Sequence, residues 1–251
     1  MGATARNLVI VSKKGLSEGP LDPPRARAAG PNPSALTRAP TLRLAVRPTT
    51  SFGSLARDAF LEFTVGDLTH EGSDAIVNPV GAGRVDLAVR RAAGPELLEA
   101  FHRGASFLPQ GKLAPGRAIL TPGFGLSAGH VIHCDPPVYA DDPVAAAENL
   151  AACHTQSLRL AREQGFTSIS FPAIATGIHR YPASQAAAIA VSTVLNDLRT
   201  YGVPHTVRFV LLTPAMLEVY AAAARTHLNE GPTHTGRGVV FSELRRSPAS
   251  G

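Results

Sequence analysis

Two short runs of small residues have the composition for holding an anion. Asn78-Pro79-Val80-Gly81-Ala82-Gly83-Arg84-Val85-Asp86 joins an apolar run to a helical one. Pro172-Ala173-Ile174-Ala175-Thr176-Gly177-Ile178-His179-Arg180-Tyr181-Pro182 repeats that arrangement a hundred residues later. Glycines there let backbone N–H groups approach phosphate oxygens, and a following helix N-terminus adds positive potential. Two such cradles at neighbouring strand ends suit a diphosphate; each alone is equally a tight turn. Gly81-Ala82-Gly83 begins like a dinucleotide fingerprint, but its sixth position is Asp86 rather than glycine. No lysine follows in the manner of a P-loop.

Other chemistry-bearing residues are weaker signals. Gly125-Leu126-Ser127-Ala128-Gly129 fits the pattern of a nucleophile elbow, which requires a strand before and a helix after. Here an apolar strand candidate follows, so the run reads as a hairpin turn. His130, His133, Cys134, Cys153 and His154 fit no zinc spacing, and no metal is expected.

Those loops need elements to carry them. Strands are expected at Phe60–Val65, Ala75–Val80, Arg117–Thr121, His130–Cys134, Ser168–Ile174 and Val207–Thr213. Helices are expected at Val85–Ala93, Glu96–Arg103, Val144–Gln164, Ser184–Tyr201 and Pro214–Leu228. Asp86 can accept from N–H groups in the first turn of its helix, and Gly94 then Pro95 ends it. Gly165 and Gly202 follow two long helices, where a positive φ costs glycine little. Alternating strands and helices predict an α/β fold with a largely parallel sheet. The pair 117–121 and 130–134 has a linker too short for a crossover, so it is expected antiparallel.

The chain of 251 residues carries 24 Lys and Arg against 19 Asp and Glu, a net charge of +5. Residues 1–57 hold nine of those basic residues and two acids, and seven of the 21 prolines. This segment, at +7, reads as a basic tail, and 231–251, at +2, as a second. The middle, 58–230, is therefore −4 and is expected to be the folded domain. A nucleic-acid partner would then engage the tails alone. No apolar run reaches the ~18 residues that a membrane span requires. Two cysteines make no disulfide framework, so a cytoplasmic setting is expected; the Arg-rich N-terminus leaves organellar targeting open.

In order and spacing, these segments resemble the macro domain family of ADP-ribose-binding modules. The carrying motifs are Val65-Gly66-Asp67-Leu68-Thr69, Asp74-Ala75-Ile76-Val77-Asn78, Val85-Asp86 with Arg91-Ala92-Ala93-Gly94, Val131-Ile132-His133, and Phe171 to Ile178 with Tyr181-Pro182. They span about 60–228. The resemblance implies a three-layer α/β/α domain with a mixed sheet of six or seven strands and helices on both faces. It implies that Asp67 accepts from the adenine amino group and that Leu68 lies beside the base. Gly81, Gly83, Arg84 and Val85 would line the first phosphate loop, and Asn78 would be a further ligand-binding residue. Ala175, Thr176, Gly177, Ile178 and His179 would line the second loop, and Arg180 would either pair with a phosphate or fill the cleft.

The departures bear on activity. Family members that hydrolyse ADP-ribosyl bonds usually carry Asn-Ala-Ala-Asn before a longer glycine loop. Here Gly81 falls at the second asparagine, and the loop is about five residues shorter. Asp86 matches the loop aspartate that polarises water in some members, and it is equally a helix cap. Arg90 replaces a usual histidine, His179 a usual aromatic, Arg180 a usual glycine, and Leu212 the aromatic that often covers adenine. The expected function is binding of ADP-ribose or a mono-ADP-ribosylated protein, with no cofactor beyond that ligand. The alternative is an ADP-ribosyl hydrolase or O-acetyl-ADP-ribose deacetylase using Asp86. The third is nucleic-acid binding through the basic tails.

Overall fold

The structure is a computed structural model that describes residues 11–12, 15–16, 41–46, 58–140, 142–229 and 241–243. The expectation of nucleic-acid binding by the tails therefore falls largely outside the described residues. A short antiparallel pair, β1 (Val11–Ser12) and β2 (Gly15–Leu16), forms a separate two-stranded sheet. The main sheet contains β3 (Thr41–Val46), β4 (Ala59–Val65), β5 (Ala75–Pro79), β6 (Ala118–Pro122), β7 (His130–Cys134), β8 (Ser168–Phe171), β9 (Thr206–Leu211) and β10 (Phe241–Glu243). Their spatial order is β10-β3-β4-β9-β8-β5-β7-β6. The five central strands, β4-β9-β8-β5-β7, are parallel, and β10, β3 and β6 run antiparallel to their neighbours.

The helices are α1 (Arg84–Ala93), α2 (Pro95–Ala105), α3 (Pro143–Glu163), α4 (Ala183–Tyr201) and α5 (Pro214–Asn229). Strand alternation divides the apolar residues between two cores. Val77, Ile132 and Phe209 point into the larger one, against Leu150 and Leu158 of α3, Val191 and Val194 of α4 and Tyr220 of α5. Their neighbours Ile76, Val131 and Val210 point to the opposite face, against Val89 of α1 and Leu97 of α2. The fold is thus the mixed α/β/α sandwich expected, with helices on both faces.

Local chemistry sets the element ends. Gly94, Gly165 and Gly202 all have positive φ after their helices, at 94°, 69° and 66°. Pro214 opens α5, where its missing N–H would have had no partner anyway. Gly125 to Gly129 lies in the turn between antiparallel β6 and β7, as the hairpin reading required. A Cβ on Gly123 would lie 2.0 Å from the Ala128 carbonyl oxygen, so the hairpin closes only on glycine there.

Three differences from the sequence reading stand out. β3 lies within the segment expected to be a tail, with Leu44 and Val46 fully buried. β10 lies within the other expected tail. The strand expected over 168–174 stops at Phe171, and residues 172–182 form a loop beyond its carboxyl end.

Candidate functional site

The carboxyl ends of β5, β8 and β9 open into a cleft of about 560 Å³. This is where ligands lie in open parallel sheets. One wall is the start of α1 and the turn before it: Gly83, Arg84, Val85 and Asp86. The other is the loop after β8: Ala175, Thr176, Gly177, Ile178 and His179. Leu68, Val210, Leu212, Thr213 and Met216 line one end, and Pro136 contributes from the loop after β7. Pro136, Val210, Thr213 and Met216 were not foreseen. Each is a single residue near the end of a strand or the start of a helix, and the folded arrangement of β7, β9 and α5, not a motif, brings it to the cleft.

Backbone geometry explains how both walls present donors. Gly81 has φ of 119° and Ala82 of 62°, so the chain folds back tightly before α1 begins. The N–H groups of the first turn of α1 have no intrahelical acceptor. In the second loop, Tyr181 N–H donates to the Ala175 carbonyl and Arg180 N–H to that of Gly177, closing the turn on itself. The described residues supply no acceptor for the amides of Thr176, Gly177 and Ile178. Both walls can therefore hold the oxygens of an anion.

Asp86 is fully buried and sits under the first loop. Its Oδ1 accepts from Asn78 Nδ2 at 2.8 Å and Arg90 Nε at 2.9 Å. Its Oδ2 accepts from the Ala82 N–H at 2.9 Å and faces Arg90 Nη2 at 2.8 Å. A carboxylate has about four acceptor positions, and four donors fill them here. N-cap Gly83 has no side chain to cap α1, so Asp86, in the third helical position, reaches back and secures the turn instead.

The network continues into the sheet. Asn78 Nδ2 also meets His133 Nδ1 at 3.3 Å, and His133 Nε2 meets Thr121 Oγ1 at 2.9 Å. Burial lowers the His133 pKa to about 3, so the imidazole is neutral at physiological pH. As a neutral ring accepting at Nδ1, it donates from Nε2 to Thr121.

The remaining expected residues are placed as follows. Asp67 is exposed and caps a short 3-10 helix, Leu68–His70, accepting from the Thr69 N–H at 2.9 Å and Thr69 Oγ1 at 2.8 Å. Those bonds, led by the backbone N–H, hold its pKa below the usual carboxylate range. Asp67 adjoins the cleft through Leu68 and does not line it. Asn78 lies beneath the loop, and Gly81 lies against His179. Arg180 is exposed, has φ of 55° and leaves the cleft unobstructed. Among the described residues, no group of three or more His, Cys, Asp or Glu is placed to hold a metal. No described helix is long and apolar enough to cross a membrane.

Fold and cleft together define an α/β module with a cleft at the carboxyl ends of its parallel strands, and comparison with known proteins identifies its kind. The Macro domain model matches residues 77–190. A macro domain-containing protein of Xanthomonas axonopodis pv. citri is 39% identical over 171 residues, covering 66% of this chain and 96% of that protein. An O-acetyl-ADP-ribose deacetylase of Salmonella newport is 41% identical over 166 residues, 64% of this chain and 92% of that enzyme. The Oceanobacillus iheyensis macrodomain, solved with ADP, superposes with a TM-score of 0.66 at 34% identity, covering 70% of this chain and 96% of that one. The chain belongs to the macro domain family.

Proposed function

We propose that this protein binds ADP-ribose, free or attached to a protein, in the cleft between the two loops. The observation that carries the reading is the pair of walls, with amides at Thr176 to Ile178 and in the first turn of α1 that meet no acceptor among the described residues. Backbone donors on both sides suit the diphosphate, and Arg84 adds a cation at the wall. Leu68, Val210, Leu212 and Met216 make an apolar end for the base, with Asp67 beside it as an acceptor for the adenine amino group. Leu212 gives contact without aromatic stacking, worth roughly 1–2 kcal/mol less. Titration calorimetry with ADP-ribose tests the proposal. Saturable heat and a raised Tm support it; neither at millimolar ligand overturns it.

A second reading is hydrolysis of an ester on the bound ADP-ribose. It is favoured by the 41% identity to an enzyme named O-acetyl-ADP-ribose deacetylase. Release of acetate from O-acetyl-ADP-ribose is its direct test. In either reading Asp86 holds the loop, because its acceptor positions are already occupied.

A further inference from the structure

Three titratable side chains line the cleft: Arg84, Asp86 and His179. Arg84 carries a guanidinium, which offers donors and no acceptor. Asp86 has four donors on its two oxygens. His179 is different, because its ring makes no hydrogen bond with any described residue while its backbone carbonyl is held by the Tyr139 N–H at 3.2 Å. The imidazole edge faces Gly81: a Cβ built there would lie 3.4 Å from Cε1 and 3.6 Å from Nε2. At φ of 119° a side chain at position 81 is strained, so glycine keeps that edge uncovered.

We infer that His179 is the proton acceptor of this cleft and serves as general base in hydrolysis of an acyl ester carried by the bound ribose. The inference rests on the second reading above. Nε2 takes a proton from water as the water oxygen bonds to the ester carbonyl carbon. The tetrahedral intermediate then breaks its bond to the ribose oxygen, which takes the proton back from the imidazolium. The products are a carboxylic acid and the free ribose hydroxyl. Burial holds the His179 pKa below its ordinary value, so the ring is neutral and able to accept at pH 7. The charged and titratable groups around it are Arg84 and Asp86 on the opposite wall, Arg180 next in the chain, and Tyr139 and Tyr181 beside the loop.

The test uses the full chain, with O-acetyl-ADP-ribose as substrate and ADP-ribose as the calorimetric ligand. Wild type should release acetate with kcat/KM rising through one acidic limb below pH 6.5 and level above it. His179→Gln cannot take up a proton in this range, and its ADP-ribose affinity is measured alongside so that turnover is read at saturating substrate. Its turnover should fall about a hundredfold or more and lose the limb. Asp86→Asn should keep the limb whatever its rate. Retention of the limb in His179→Gln, or its loss in Asp86→Asn, overturns the assignment. ADP-ribose binding without acetate release also overturns it, while leaving the binding function intact. Absence of binding as well would remove both.

Discussion

At Asp86 a fully buried carboxylate meets a guanidinium, an amide and a backbone N–H, and the consequence is mechanical. Arg90 supplies two of the four donors from one turn further along α1. Removing it leaves a buried charge only half satisfied, which costs about 3 kcal/mol in comparable cases. Arg90→Ala should therefore lower the urea midpoint sharply and loosen the loop at Ala82. An unchanged midpoint would show that the pair contributes nothing to holding the loop. The Asp86–Arg90 pairing was accessible from the sequence as an i,i+4 acid–base spacing, although the sequence reading treated Arg90 only as a replacement for histidine. Asp67 poses the opposite case. One of its oxygens accepts from Thr69 twice, and the other is 3.8 Å from His70 Nδ1. Asp67→Ala should weaken ADP-ribose binding by about 1–3 kcal/mol in calorimetry, as expected for a lost bond to a charged acceptor.

Two elements carry histidines that the fold requires to be neutral. His133 on β7 and His154 on α3 are fully buried, and burial lowers their pKa values to about 3 and about 4. His154 lies against Phe171 with ring centroids 5.2 Å apart, and its Nδ1 donates to the Leu150 carbonyl at 2.9 Å. An unfolded histidine binds its proton near pH 6.5, well before either native ring does. The unfolded state therefore holds more protons as the pH falls from 6.5 towards 4. Stability should be fullest above that window and should drop by about 1.4 kcal/mol per pH unit for each ring. Urea denaturation between pH 7 and 4.5 reads this directly, and His154→Phe should lessen the slope. The same elements show what could be read from the sequence. The boundaries of α1 to α5 lie close to expectation because glycines and prolines mark the ends with distinct backbone requirements. The hairpin β6–β7 was likewise fixed by the short linker, and Gly123→Ala should destabilise it by more than about 1–3 kcal/mol, since the added carbon meets backbone.

Across the whole molecule, the main sheet draws on β3, which lies in a segment whose composition reads as a basic tail. Leu42, Leu44 and Val46 alternate as a strand should, but they are set among Pro40, Arg43, Arg47 and Pro48, and composition obscured the pattern. In the fold, Arg43 of β3 pairs with Glu62 of β4 at 3.1 Å, and Glu62 also receives Arg208 of β9 at 2.7 Å. Arg208 in turn reaches Glu71 at 2.7 Å, so charge from the supposed tail is matched within the sheet. A fragment of 58–230 would lose this cation and expose the outer edge of β4, whose six residue pairs with β3 would go unmade. It would also lose the burial of Leu44 and Val46, at about 1.5–3 kcal/mol each. Together that is a large share of the ~5–15 kcal/mol that stabilises an ordinary domain. Residues 41–243 should therefore give a monomer with a cooperative thermal transition and ADP-ribose-dependent stabilisation. Residues 58–230 should aggregate or melt at least several degrees lower, since an uncovered strand edge invites pairing between chains. Light scattering and calorimetry on the two fragments decide it: equal Tm values and equal monodispersity would show that the sheet is complete without β3.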